Sequence, residues 1–176
     1  MSKTKTKKLA TDAILAAMCA VLGYLALDFG NVKVTFESVP VLIGALLFGP
    51  VDGLAVGALG ALIYQLLRYG LSVTTLLWIL PYALCGLLAG LYAKRRSFEL
   101  TQGQSVLIVV ACELMITLLN TGTLYLDSRI YGYYYAGIIL GALALRLILC
   151  VVKAVAYAYL LPVLLRALRR SGVVGR

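Results

Sequence analysis

This chain of 176 residues is 62% hydrophobic and only 13% charged, with a mean hydropathy of +0.99. A soluble domain is nearer half apolar and a quarter charged, so too few polar side chains are present to coat a surface in water. The net charge of +9 is placed for a membrane and not for nucleic acid: Lys3, Lys5, Lys7 and Lys8 precede the first apolar run, Lys94, Arg95 and Arg96 sit midway, and Arg166, Arg169, Arg170 and Arg176 follow the last.

A helix crosses a bilayer in about 20 apolar residues. The first such run is Leu9 to Leu27. No small-residue cleavage site follows its lysine-rich start, so it is expected to be a retained helix and not a signal peptide. Asp28 to Glu37 is more polar, with Gly30, Asn31 and Lys33. The run Val39 to Phe48 ends at the turn signal Gly49-Pro50. At 1.5 Å per residue it reaches about 15 Å, so it either tilts behind its neighbours or is lengthened by the preceding loop. The third run is Val51 to Tyr69, followed by a break from Gly70 to Thr75. The fourth is Leu76 to Ala93, stopping at Lys94-Arg95-Arg96. After a polar linker, Ser97 to Gln104, the fifth covers Ser105 to Tyr125; a tyrosine-rich loop, Asp127 to Tyr135, leads to the sixth, Ala136 to Leu165.

The expected fold is therefore all-α and integral to the membrane: one transmembrane domain over residues 1–176, with six helices and short basic tails at 1–8 and 166–176. Six crossings put both termini on one side, and the Lys94 cluster falls on the same side. Basic clusters mark the cytoplasmic face, which leaves the loops Asp28–Glu37, Gly70–Thr75 and Asp127–Tyr135 outside. Cys19, Cys85, Cys112 and Cys150 lie singly in apolar runs and read as small buried apolar residues, not as disulfides or metal ligands.

Glu113, Arg146 and Lys153 fall inside predicted crossings, where a charge must face protein or water. Arg146 lies about 15 Å below the outer end of the sixth helix and Glu113 about 18 Å below that of the fifth, so the two can meet in one layer. Lys153, seven residues past Arg146 on the same face, is the other partner open to Glu113. Such a pair locks two helices, or the cations contact an anionic ligand. Asn120 sits seven residues above Glu113 on the same side, with Thr121 and Thr123 near the outer end. Aromatic residues gather toward the outside, among them Tyr64, Tyr69, Trp78, Tyr82, Tyr125, Tyr131 and Tyr133 to Tyr135, whereas Tyr157 and Tyr159 are the inner pair of the last helix. Trp78 and Tyr82 share a helix face, as do Tyr64 and Arg68. An interfacial belt accounts for many such rings. Their asymmetry points further, to an aromatic cavity opening outward and suited to a flat ring system.

Small residues form strips that allow close helix approach: Ala13, Ala16, Ala17 and Ala20; Gly53, Gly57, Gly60 and Ala61; Gly137 and Gly141. The glycines read as packing inside the bundle. No GxxxxGK(S/T) phosphate loop, HExxH or GxSxG motif occurs, and with no histidine to act as a general base an enzyme has little to stand on; no cofactor, metal or nucleic-acid partner is expected.

The stretch FESVPVLIGALLFGPVDGLAVGALGALIYQLL resembles the substrate-binding S-components of energy-coupling factor (ECF) vitamin transporters, through Pro40, Leu47-Phe48-Gly49-Pro50 and the glycines of the third helix. LLNTGTLYLDSRIYG followed by Arg146 is similar to the folate-specific branch. The resemblance implies a six-helix, RibU-like bundle in a bacterial plasma membrane that captures a vitamin, folate, from outside. It implies docking through the AxxxA strip Ala13, Ala16, Ala17 and Ala20 onto a transmembrane coupling subunit with two ATPases, then toppling to release the cargo inside. Folate-branch members often carry an arginine late in the first helix, where this chain has Tyr24-Leu25-Ala26. The carboxylates would then fall to Arg146, Arg68 or Lys33. Glu37, Tyr64, Arg68, Thr75, Trp78, Tyr82, Asn120 and Arg146 are expected to contact substrate, the pterin stacking on Trp78 or Tyr82 and being read by Asn120. Two alternatives stay open: another vitamin, such as riboflavin or pantothenate, and a stand-alone proton-coupled carrier using Glu113 and Lys153.

Overall fold

The computed structural model describes residues 3–29 and 32–170. Six helices follow in chain order: α1 (Lys3–Tyr24), α2 (Ser38–Phe48), α3 (Pro50–Tyr69), α4 (Thr75–Arg95), α5 (Gln102–Ile130) and α6 (Ala136–Arg170). Between α1 and α2 the polar stretch read as a loop instead folds back on itself as β1 (Leu27–Phe29) and β2 (Val32–Val34), antiparallel with Leu27 opposite Val34. Val32 and Val34 are β-branched, a residue type that suits a strand.

Among the described residues α3, α4, α5 and the Leu143–Arg170 part of α6 are long and apolar enough to cross a membrane. Basic residues extend the first and last helices past the apolar runs. α1 begins at Lys3, and α6 runs on to Arg170, so the basic ends at 3–8 and 166–170 are helical; residues 1, 2 and 171–176 lie outside the described residues. At 35 residues α6 is about 52 Å long, more than a hydrocarbon core of about 30 Å requires, and its arginines lie in the turns left over.

The short helix α2 is apolar on every side, and every residue from Ser38 to Leu47 is buried. It packs on α1, α3, α4 and α6, with Leu42 and Leu46 at the centre of the core. Its length is thus set by neighbours and not by lipid, and the hairpin supplies the rest of the path.

α3 and α4 meet through glycine. A Cβ on Gly86 would collide with the Gly53 carbonyl, one on Gly57 with the Tyr82 carbonyl, and one on Gly90 with Pro50. Without an apolar drive between helices in lipid, this backbone-to-backbone fit is what holds the pair. Gly60 does the same against Cys19 of α1. All four cysteines are buried free thiols, in keeping with their reading as small apolar residues.

Further out, Pro81 withdraws the N–H that would have met the Leu77 carbonyl, and the Thr123 hydroxyl of α5 donates to that oxygen at 3.1 Å instead. The proline therefore creates a cross-link between α4 and α5. α5 starts at a reciprocal cap in which the Gln104 N–H donates to the Thr101 hydroxyl and the Thr101 N–H to the Gln104 amide oxygen. Before it the chain reverses tightly through Ser97 and Phe98, both at positive φ, and Arg169 of α6 donates to the Phe98 carbonyl at 2.7 Å.

Candidate functional site

Where α3 and α4 leave their glycine contact and run outward, the helices part. They enclose, with α5, α6 and the end of β2, a cavity of about 590 Å³. Small-molecule sites occupy about 300–1,000 Å³. The lining includes Tyr64, Tyr69, Trp78, Tyr82, Tyr131 and Tyr133, whereas Tyr125, Tyr134 and Tyr135 stay off it, Tyr125 and Tyr134 packing edge to face under Arg129. Tyr64 stands edge-on to Tyr69 with ring centres 6.0 Å apart.

Among the described residues, Asn120 and Glu37 each bring a buried oxygen without a hydrogen-bond partner to the wall, and Arg146 brings a cation without a carboxylate. The Asn120 amide oxygen is buried and accepts no hydrogen bond. Arg146 is half-buried on the wall; its guanidinium donates to the Thr121 hydroxyl at 3.4 Å, and among the described residues no carboxylate pairs with it. An unmatched buried acceptor costs about 1–3 kcal/mol, which makes the Asn120 oxygen a standing demand for a donor, while the Arg146 guanidinium keeps donors to spare beyond its one contact with Thr121.

Lower down, Lys153 pairs with Glu113, Nζ to Oε2 at 2.7 Å, and Glu113 is fully buried. The contact is an ion pair of close approach, with no aligned hydrogen bond to either carboxylate oxygen among the described residues. Of the two partners open to Glu113, the deeper cation takes it, which leaves Arg146 to the cavity. Glu37, at the start of α2, is 1% exposed, with Tyr82 and Thr35 beside its carboxyl and Gly23 of α1 packed so closely that any side chain there would strike it.

At the mouth, Asp127 gathers three donors. The Thr74 hydroxyl reaches Oδ1 at 2.5 Å, the Trp78 indole N–H reaches the same oxygen at 3.4 Å, and the Tyr133 hydroxyl donates to Oδ2. One carboxylate thereby ties the α3–α4 loop, α4, the end of α5 and the α5–α6 loop together. Partial burial first, and the Asp127 carboxylate second, push the Tyr133 hydroxyl up to about 12. Among the described residues no three His, Cys, Asp or Glu side chains converge as a metal site would need.

The model of the family described as ECF transporter, substrate-specific component, matches residues 7–170. The chain belongs to that family. A comparison with curated protein sequences finds no match. Among solved structures the chain is similar to the crystal structure of FolT bound with folic acid, at 22% identity and a TM-score of 0.64, over 88% of this chain and 91% of that one. The family is one of transporter components and not of enzymes, and this member is a multi-pass membrane protein.

Of the residues expected to contact substrate, Glu37, Tyr64, Trp78, Tyr82, Asn120 and Arg146 line this substrate-specific component's cavity. Arg68 and Thr75 do not. The Arg68 guanidinium lies over the rings of Tyr24 at 5.8 Å and Tyr69 at 6.0 Å, and of these three only Tyr69 is on the cavity wall. Thr75 is buried in the first turn of α4, where its hydroxyl accepts the Ser72 N–H at 2.9 Å, while Ser72 and Thr74 take the places on the wall. The side chain of Lys33 lies outside the described residues. Gln65, Thr117 and Asp127 line the cavity without having been singled out. Gln65 carried a signal, being a lone amide inside an apolar run; Asp127 carried none, since an acid opening an outer loop is ordinarily solvated.

The alanine strip of α1 divides. Ala16 and Ala20 are 4% and 5% exposed against the chain's own bundle, whereas Ala13 and Ala17 look outward.

Proposed function

We propose that this chain is the folate-binding component of its transporter and takes the vitamin from the outer side of the membrane, with both termini cytoplasmic. The observation that carries the reading is the pairing of two groups in the aromatic cavity: an orphan acceptor on Asn120 and, on Arg146, a cation with no carboxylate partner among the described residues. Folate presents both complements. Its pterin is a flat ring whose 2-amino and N3–H groups donate, and its glutamate end is anionic. Tyr64, Trp78 and Tyr82 offer faces for the ring, Asn120 reads its donor edge and Arg146 takes a carboxylate. The likeness to FolT bound with folic acid supports the same substrate.

Glu113 and Lys153 neutralise one another, which favours a structural lock between α5 and α6 over a proton relay. Release would follow docking on a transmembrane coupling subunit with two ATPases and toppling of the bundle, with the exposed Ala13 and Ala17 as the contact strip. Ligand extracted from the purified chain and identified by absorbance and mass tests the substrate. Folate is expected, and riboflavin or pantothenate in its place overturns the assignment. Vesicles holding this chain alone are expected to bind folate without concentrating it under a proton gradient; accumulation would restore the carrier.

A further inference from the structure

A second hollow lies on the opposite side of α6 from Lys153. It is a groove of about 340 Å³ between α5 and α6, lined by Gln102, Val106 and Val110 on one helix and Val151, Ala154, Val155, Ala158 and Tyr159 on the other. Its walls are almost wholly aliphatic, and its long axis, Val151 to Tyr159, covers about 12 Å. Val151, Val155 and Tyr159 are strongly exposed, so the groove opens to the lipid-facing side of the bundle.

What stands at its cytoplasmic end decides what fills it. Continuing the α6 face at helical spacing brings Pro162, then Arg166 and Arg169. The hydrogen bond from Arg169 to the Phe98 carbonyl draws the α4–α5 turn into the same corner, and with it Lys94, Arg95 and Arg96. These side chains are exposed, and Glu99 is the one acid in that turn. Arg166 folds back so that its Nε donates to the Pro162 carbonyl at 3.0 Å, which keeps its guanidinium beside the helix at the end of the groove. An apolar furrow that ends in a cluster of cations at the membrane surface has the chemistry of a phospholipid with an acidic headgroup: acyl chain along the furrow, phosphate on the arginines.

We propose that the α5–α6 groove and the Arg166–Arg169 corner form a binding site for one anionic phospholipid. The site is separate from the aromatic cavity and does not rest on the identity of the vitamin. The lipid fills the groove between the two helices and so steadies α6, whose other face carries Lys153 and Arg146.

The test is thermal unfolding of the full chain in detergent with added lipid, alongside native mass spectrometry. Phosphatidylglycerol is expected to raise the melting temperature by several degrees and to be retained at one copy per chain. Phosphatidylcholine is expected to do neither, and glycerol phosphate, the headgroup chemistry without chains, to have no effect. Ala158→Trp, which fills the groove, and the double change Arg166→Gln with Arg169→Gln are each expected to abolish the shift while leaving the elution profile and helical content of the lipid-free protein unchanged. Equal stabilisation by phosphatidylcholine would overturn the anionic part, and stabilisation by glycerol phosphate would reduce the site to a free-anion patch. A phosphatidylglycerol shift that survives Ala158→Trp, or a mass showing two chains in place of lipid, would overturn the groove as a lipid site. Should Ala158→Trp unfold, Val155→Phe, at the exposed edge, serves in its place.

Discussion

α3 and α4 behave as two different structures along their length. At the end nearer the basic clusters Gly53, Gly86, Gly57 and Gly90 let backbone rest on backbone, with no room for a methyl group. Beyond that contact the same helices carry Tyr64, Gln65 and Trp78, with Tyr82 at the border, and stand apart around a cavity that leaves polar groups unmatched. One half spends its side-chain volume on tightness and the other on emptiness. A rigid clamp below is what allows an incompletely satisfied site above, because the outer helices cannot simply collapse to quench Asn120 or Arg146.

This contrast breaks most sharply at the clamp. Gly86→Leu is expected to destabilise by about 3 kcal/mol or more, since the side chain must displace the α3 backbone. Gly122→Leu, with nothing within 4 Å of its Cβ position, should change unfolding by about 0.5 kcal/mol or less. Thermal unfolding in detergent reads both, and equal effects would dissolve the distinction between the halves. Next comes the floor: Lys153→Met alone strands a buried carboxylate and should cost about 3–5 kcal/mol, much of it recovered in the double change with Glu113→Gln. Loss without recovery would mean that Lys153 serves something other than Glu113.

In the cavity the expected effects fall on binding and not on folding. Arg146→Gln should weaken folate by about 10–100-fold, as removal of a charged hydrogen bond worth about 1.5–3 kcal/mol does, with the melting temperature of the empty protein unchanged or raised. Asn120→Ala should cost about 10-fold on the same grounds. An Asn120→Ala protein that binds folate undiminished removes that residue from the site. The smallest change is expected at the mouth. Asp127→Asn weakens the tie to Thr74, Trp78 and Tyr133 and should speed dissociation a few-fold with little change in association rate, measured by stopped-flow quenching of Trp78. A slower association with unchanged dissociation would place Asp127 outside the closure.

The glycine-packed half was the more legible in sequence. Glycines at spacings of three and four inside an apolar run have few uses besides close packing, and they pack. Helix order was equally plain, because hydrocarbon imposes a length and basic residues mark the ends. The hairpin was hidden, since three-residue strands leave almost no periodicity to read. Six of the eight expected contact residues line the cavity, Trp78 with Tyr82 because they share a face that spacing alone defines. The two that missed, Arg68 and Thr75, each lie one position from a residue on the wall, a difference that depends on where α3 ends and α4 begins. Spacing also left Glu113 with two candidate cations, a choice made only by the relative slide of α5 and α6. Half of the alanine strip was claimed by packing within the bundle for the same reason: one sequence shows small faces without showing which neighbour uses them.

The central claim is tested most directly by titrating folate into the chain alone, purified in detergent, by calorimetry, with riboflavin and pantothenate as controls. Nanomolar binding at one site per chain, about −12 kcal/mol, is the predicted result. A folded protein that takes up a control vitamin tightly and leaves folate unbound would contradict it.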